Sequence, residues 1–183
     1  MMEHSAGTLS CTILDRRSSI PLSGARISCV WRTQRISTLR LDTSGSFKTD
    51  LPEGVYDIII SAHGFLSVSI RGIGILAGHQ LQLQRALVPG EGQMSEGEPA
   101  TAVGGFVLDR LHRPLANISI HAVGGKTRYT TQTDRRGAYL LHGVAPAMYD
   151  LEFRRGNLLV GREPTPIPDV RNFIRVDTRL LSL

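Results

Sequence analysis

Cysteine is scarce: Cys11 and Cys29 are the only two in 183 residues. That is too few for a disulfide scaffold, and their separation fits no zinc motif. Aromatics make up 5% of the chain, with a single tryptophan. Single-stranded nucleic acids need aromatic platforms for their bases, so nucleic acid is disfavoured as a partner. No apolar run reaches the roughly 18 residues of a membrane-spanning helix, so no such span is expected. The opening residues, Met1 to Gly7, show no basic region ahead of an apolar stretch, so no secretory signal is read there. Lysine is nearly missing as well. Lys48 and Lys126 stand alone among 21 basic residues, and the rest are arginine.

Catalytic constellations are missing too. The histidines His4, His63, His79, His112, His121 and His142 form no His-x-x-Glu pair and no His-Glu-x-x-His. There is no Gly-x-Ser-x-Gly elbow, Cys-x-x-Cys pair or phosphate-binding loop. Asp42, Asp50 and Asp57 lack the dense alternation of a calcium loop. Asn117-Ile118-Ser119 fits a glycosylation sequon but falls in an expected strand. The expectation is a non-enzyme that holds no cofactor and no metal.

What the chain does have is a repeated turn-and-strand stretch. Asp42-Thr-Ser-Gly45-Ser-Phe47, followed by Leu51-Pro52-Glu-Gly54-Val-Tyr56, returns as Asp134-Arg-Arg-Gly137-Ala-Tyr139, followed by Val144-Ala-Pro146-Ala-Met-Tyr149. Asp42 and Asp134 can bond backbone amides across a turn, and Gly45 and Gly137 supply a positive φ. Tyr56 and Tyr149 each open a strand after a tight turn. They are read as corner tyrosines whose hydroxyls reach back to the preceding backbone.

The surrounding residues alternate with the period of strands. Leu9, Cys11 and Ile13 share one face, and Ala25, Ile27, Cys29 and Trp31 another. Both cysteines therefore point inward, either as small buried thiols or as a disulfide. Further strands are expected at 36–41, from Phe47, over Tyr56–Ala62, at 66–70 and at about 80–87. A last continuous strand is expected over Ile174–Leu180, with Arg175, Asp177 and Arg179 facing out. Landmarks in the two halves stay 92 to 94 residues apart, a register that points to internal duplication. Residues 88–100 have the Gly, Pro and Glu composition of a flexible acidic linker. The domains expected are therefore 1–87 and 101–183, each an antiparallel Greek-key β-sandwich of about seven strands.

Gly105-x-Val107-x-Asp109, Pro21-Leu22-x-Gly24-Ala25, Thr133-Asp134-x-x-Gly137-x-Tyr139 and the turns before Tyr56 and Tyr149 carry a resemblance. They resemble the carboxypeptidase regulatory-like domain, a transthyretin-like (prealbumin-type) β-sandwich. Leu41, Ala116-Asn117 and Ala147 depart from its pattern. The resemblance implies accessory modules without chemistry of their own, at the cell envelope or outside the cell. Expected partners are another protein or a surface polymer.

Charge suggests one alternative. The segments 1–87, 88–100 and 101–183 carry formal charges of +3, −3 and +5. In the last segment Arg110, Arg113, Arg128, Arg135, Arg136, Arg154 and Arg155 are candidates for a patch that binds a carbohydrate or anionic polymer. The leading expectation remains a structural spacer or protein-interaction module.

Overall fold

Alternation along the first segment dictates a strand with one wet and one dry face. In the computed structural model, which describes residues 6–31, 34–96 and 100–180, this is β1 (Ala6–Asp15). Leu9, Cys11 and Ile13 are fully buried, while Thr8, Ser10 and Thr12 are half-buried. Every regular element among the described residues is a strand. The chain divides into two units, Met1–Glu98 and Pro99–Leu183.

In the first unit β1 is followed by β2 (Arg26–Trp31), β3 (Gln34–Arg40), β4 (Ser46–Pro52), β5 (Gly54–Ser61), β6 (Ser67–Ile75), β7 (Gln80–Leu87) and β8 (Gln93–Glu96). One sheet has the order β4-β1-β7, the other β3-β2-β5-β6-β8. Their inner faces close on Leu9, Ile13, Ile27, Tyr56, Ile58, Ile60 and Leu87. Each fully buried Leu or Ile of this kind contributes about 1.5–3 kcal/mol relative to exposure.

The second unit comprises β9 (Thr101–Leu108), β10 (Ser119–Val123), β11 (Tyr129–Gln132), β12 (Ala138–Val144), β13 (Ala147–Arg155), β14 (Leu158–Ile167), β15 (Phe173–Arg175) and β16 (Thr178–Arg179). Its sheets run β12-β9-β15, with β16 also on β9, and β11-β10-β13-β14. Among the described residues the strand order follows that of the first unit, except that β8 has no counterpart and β15 with β16 takes the place of β7. Val103, Val107, Ile120, Tyr139, Leu151 and Phe153 fill its core.

Three features differ from the sequence reading. The sheets are mixed: β1 pairs parallel with β7 from Thr8↔Gln80 to Asp15↔Leu87, and β15 and β16 pair parallel with β9. Side-chain alternation fixes which face a residue takes, but it is blind to strand direction. The segment expected to be linker is also tied to the first unit over much of its length. β8 pairs parallel with β6 through Ser67↔Gln93 to Ile70↔Glu96, and Glu96 bonds Arg85. Finally, the expected last strand is interrupted. The Asp177 carboxylate takes the Phe106 amide at 2.9 Å and Arg175 Nε at 2.9 Å, replacing a ladder carbonyl between β15 and β16.

β14 pairs with β13 through Met148↔Pro166 and Asp150↔Pro164. Ladder donors alternate along an antiparallel strand, so the intervening Thr165 and Glu163 face β13 and the two prolines face away from it.

Candidate functional site

The repeated turn is built the same way in both units. The Asp42 carboxylate accepts from the amides of Ser44 (2.9 Å) and Ser46 (3.1 Å), and the Gly45 amide donates to the Asp42 carbonyl (3.1 Å). Asp134 accepts from Arg136 (2.8 Å) and Ala138 (2.9 Å), and Gly137 donates to the Asp134 carbonyl (3.0 Å). The bond from the Ser44 hydroxyl, with the Ser46 amide, holds the Asp42 carboxyl below its usual range. Gly45 has φ +65° and Gly137 φ +73°. A Cβ at Gly45 would meet Pro21 Cβ at 2.7 Å, and one at Gly137 the Val107 carbonyl at 2.6 Å. Both carbonyls then receive a strand amide, from Ile13 at 2.9 Å and Val107 at 2.8 Å.

The tyrosines diverge. Tyr56 is buried, and its hydroxyl donates to the Pro52 carbonyl at 2.8 Å. Desolvation, with Cys29 nearby, pushes that phenol up to about 12. Trp31 stacks on it, with ring centroids 6.5 Å apart. Tyr149 does not close a corner of this kind among the described residues: its hydroxyl lies against Gly125, and the Tyr129 ring meets it edge-on at 6.0 Å. Tyr129 in turn accepts from the Ala145 amide at 3.1 Å, so the turn is tied through an intermediary. The second unit gains another tie that the sequence did not indicate. Tyr139, where the first unit has Phe47, donates to the Val176 carbonyl at 2.7 Å.

The candidate arginines come together only in part. Turns 109–113 and 134–137 carry Arg110, Arg113, Arg135 and Arg136. These turns pack together, with a Gly137 Cβ position 3.2 Å from Pro114. Arg154 lies opposite Ser119, two residues past Asn117, whose amide donates to the Thr133 carbonyl. Arg154 and Arg155 therefore share that end of the unit. Arg128 precedes β11 at the far end of β10, but it lines a shallow concavity of about 270 Å³ with His121, Glu152 and Arg154.

Much of this charge is already compensated. Glu152 accepts from Arg154 Nη2 (2.7 Å) and Arg162 Nη2 (2.7 Å), and these bonds hold its carboxyl below the usual range. Arg113 Nε donates to Asp109 at 2.8 Å. Arg110, Arg128, Arg135, Arg136 and Arg155 make no ion pair among the described residues. Glu152 was missed because counting back from the Gly156-Asn157 hairpin puts Gly161 opposite it. A bulge after Phe153 shifts Arg162 into that place.

Cys11 and Cys29 are both buried and form no disulfide. Burial, with Cys29 alongside, pushes Cys11 up to about 12, so it stays protonated and unreactive. Among the described residues no group of three or more His, Cys, Asp or Glu is placed to hold a metal ion. No helix there is long and apolar enough to cross a membrane.

Two facing sheets whose tight turns are pinned by aspartate define the class: a transthyretin-like β-sandwich. Residues 8–88 match the carboxypeptidase regulatory-like domain. No curated protein matches the sequence. Among solved structures, the Bacillus anthracis TIE protein is 14% identical, at a TM-score of 0.40 over 96% of this chain. BcpA, the major pilin subunit of Bacillus cereus, is 8% identical, at 0.39 over 97% of this chain and 100% of its own. A streptococcal ancillary pilin is 12% identical, at 0.37 over 99% of this chain. The chain spans 34% of the TIE protein and 64% of the ancillary pilin. At these scores the likenesses carry no inference about what this chain does.

Proposed function

We propose that the chain is a non-catalytic tandem of β-sandwich domains that serves as a structural spacer or protein-interaction module. The observation behind this reading is the parallel pairing of β1 with β7 in the first unit and of β9 with β15 and β16 in the second. β1 and β7 lie side by side over eight register pairs, from Thr8↔Gln80 to Asp15↔Leu87. The chain enters that pair at one end and leaves it at the other. Tension between Ala6 and Leu87 therefore loads the evenly spaced ladder bonds together, along the strands, instead of opening them in turn. β9 meets β15 and β16 in the same sense. The signature residues support the same reading, since Asp42, Gly45, Tyr56, Asp134 and Gly137 all serve turns and corners. On this reading the second unit is a second copy of the family domain. The partner is another protein or a surface polymer, at the cell envelope or outside the cell.

Single-molecule stretching of the full chain tests the proposal. Pulled through handles at residues 6 and 87, the first unit should resist far more than when handles sit at residues 6 and 79, the same end of β1 and β7. Equal unfolding forces in the two geometries would remove the spacer reading.

A second reading, an anionic polymer at the turn end of the second unit, is favoured by Arg110, Arg135, Arg136 and Arg155, which have no acidic partner there among the described residues. The comparisons lend nothing to a carbohydrate ligand. Heparin retention at physiological salt that survives Arg135→Gln with Arg136→Gln would sink this reading.

A further inference from the structure

Arg26 and Arg40 occupy directly opposite positions on β2 and β3, and Ser61 on β5 continues the same cross-strand row. Their neighbours Ala25, Ile27, Ile60 and Leu41 are buried in the core, so Arg26, Arg40 and Ser61 face outward. Directly opposite residues have Cβ atoms about 5 Å apart, and like charges placed there destabilise the sheet. Yet neither guanidinium has a carboxylate partner among the described residues. In the next row Ser28 stands between Thr38 and Ile59, so no acid reaches over from there.

The second unit offers a control within the same chain. The corresponding row is Gln132, Ser119 and Arg154. It has one arginine instead of two, and that arginine is bonded by Glu152 at 2.7 Å. Where the second unit supplies its own anion, the first sets two cations face to face and supplies none. Around them lies an open concavity of about 370 Å³ lined by Gly24, Arg26, Arg40, Ser61, Ala62 and His63. Its rim thus combines two planar forks of N–H donors with a hydroxyl and an imidazole.

We propose that this row of the first unit is a binding site for a tetrahedral oxyanion, a phosphate or sulfate group carried free or as an ester. Arg26 and Arg40 each present parallel N–H donors that match such oxygens, and Ser61 adds a hydroxyl donor. A bridging dianion turns the repulsion across β2 and β3 into two attractive contacts. The site is built from residues of the first unit alone.

The test is thermal unfolding of the full chain, followed by Trp31 fluorescence at low ionic strength. Inorganic phosphate, sulfate and O-phosphoserine are compared with chloride at matched ionic strength. Phosphate or sulfate should raise the first unit's melting temperature by roughly 4 °C or more over chloride. A response to O-phosphoserine equal to that of inorganic phosphate identifies an ester as an acceptable source; a response to the free ion alone restricts the site to that ion. Arg26→Gln should melt above the wild type without oxyanion, because the opposed charge is gone, and should lose most of the oxyanion-induced rise. Arg71→Gln, an exposed arginine on β6, should keep it. A gain equal to that from chloride, a gain retained by Arg26→Gln, or an Arg26→Gln protein that melts lower without oxyanion overturns the proposal. Should that variant not fold, the arginine Nε–Hε resonances of the wild type decide. Those of Arg26 and Arg40 must shift with phosphate ahead of the other arginines, and uniform shifts overturn the site.

Discussion

The Tyr56 hydroxyl reaches back four residues to the Pro52 carbonyl at 2.8 Å, locking the turn between β4 and β5 to the strand that follows it. Its counterpart Tyr149 instead packs edge-on against a side chain, Tyr129, with ring centroids 6.0 Å apart. Equivalent residues thus hold equivalent turns by different routes.

That difference is measurable, because the only tryptophan, Trp31, stacks on Tyr56 and reports the first unit. Tyr56→Phe leaves the Pro52 carbonyl without its donor and should destabilise the first unit by about 1 kcal/mol. Tyr149→Phe should leave the tryptophan transition where it is and lower only the transition of the second unit. A tryptophan melt unchanged by Tyr56→Phe would mean that the corner bond is dispensable.

Gly45 and Gly137 permit a sharper experiment. A valine at Gly137 must adopt φ +73° and place its Cβ 2.6 Å from the Val107 carbonyl. The left-handed conformation alone costs about 1–2 kcal/mol, and the contact adds to it, so roughly 3 kcal/mol or more should be lost. Gly45→Val should do the same to the first unit and be seen by Trp31, whereas Gly137→Val should not. Urea unfolding read by fluorescence and by circular dichroism separates the two. Silence of Gly137→Val in both signals would remove the turn from the account of stability.

Glu152 makes the second unit acid-sensitive. Its folded pKa lies below the unfolded value, chiefly because of Arg154 and then Arg162. The stabilisation is therefore complete above the unfolded pKa of about 4.3 and is lost as pH falls through the folded value. Glu152→Gln should weaken the unit at pH 7, by about 1 kcal/mol given that Arg162 is half exposed. Between pH 5 and 3, by contrast, it should flatten the decline of melting temperature (pH range after). Parallel pH profiles for the two proteins would show that the carboxylate is not held as described.

The sequence shows best what depends on local geometry. Leu9, Cys11 and Ile13 announce β1 by alternation, and Asp42 with Gly45 announces its turn, because each works within a few residues. Strand direction is not local: nothing in Gln80–Leu87 says that it will run parallel to β1. Gln93–Glu96 reads as tether by composition, yet it pairs because the edge of β6 offers backbone groups regardless of side chain. Of the candidate arginines, Arg154 is bonded by Glu152 and Arg113 by Asp109. Glu152 reaches Arg162 only through a bulge, and a bulge has no reliable mark in the residues. Arg26 and Arg40 went unremarked because fourteen residues separate them, and only the β2–β3 register makes them neighbours.

A chain with two similar β-rich halves risks trading strands between its copies while it folds, and an open sheet edge is where such an exchange begins. The two halves close the same edge by unrelated means. In the first, β8 lies along β6 like a strap. In the second, Pro164 and Pro166 remove from the outer side of β14 the amides that a visiting strand would need. Because the closures differ, neither half offers the other a ready substitute for its own missing strand. The two edges are thus closed by β8 in one unit and by prolines in the other.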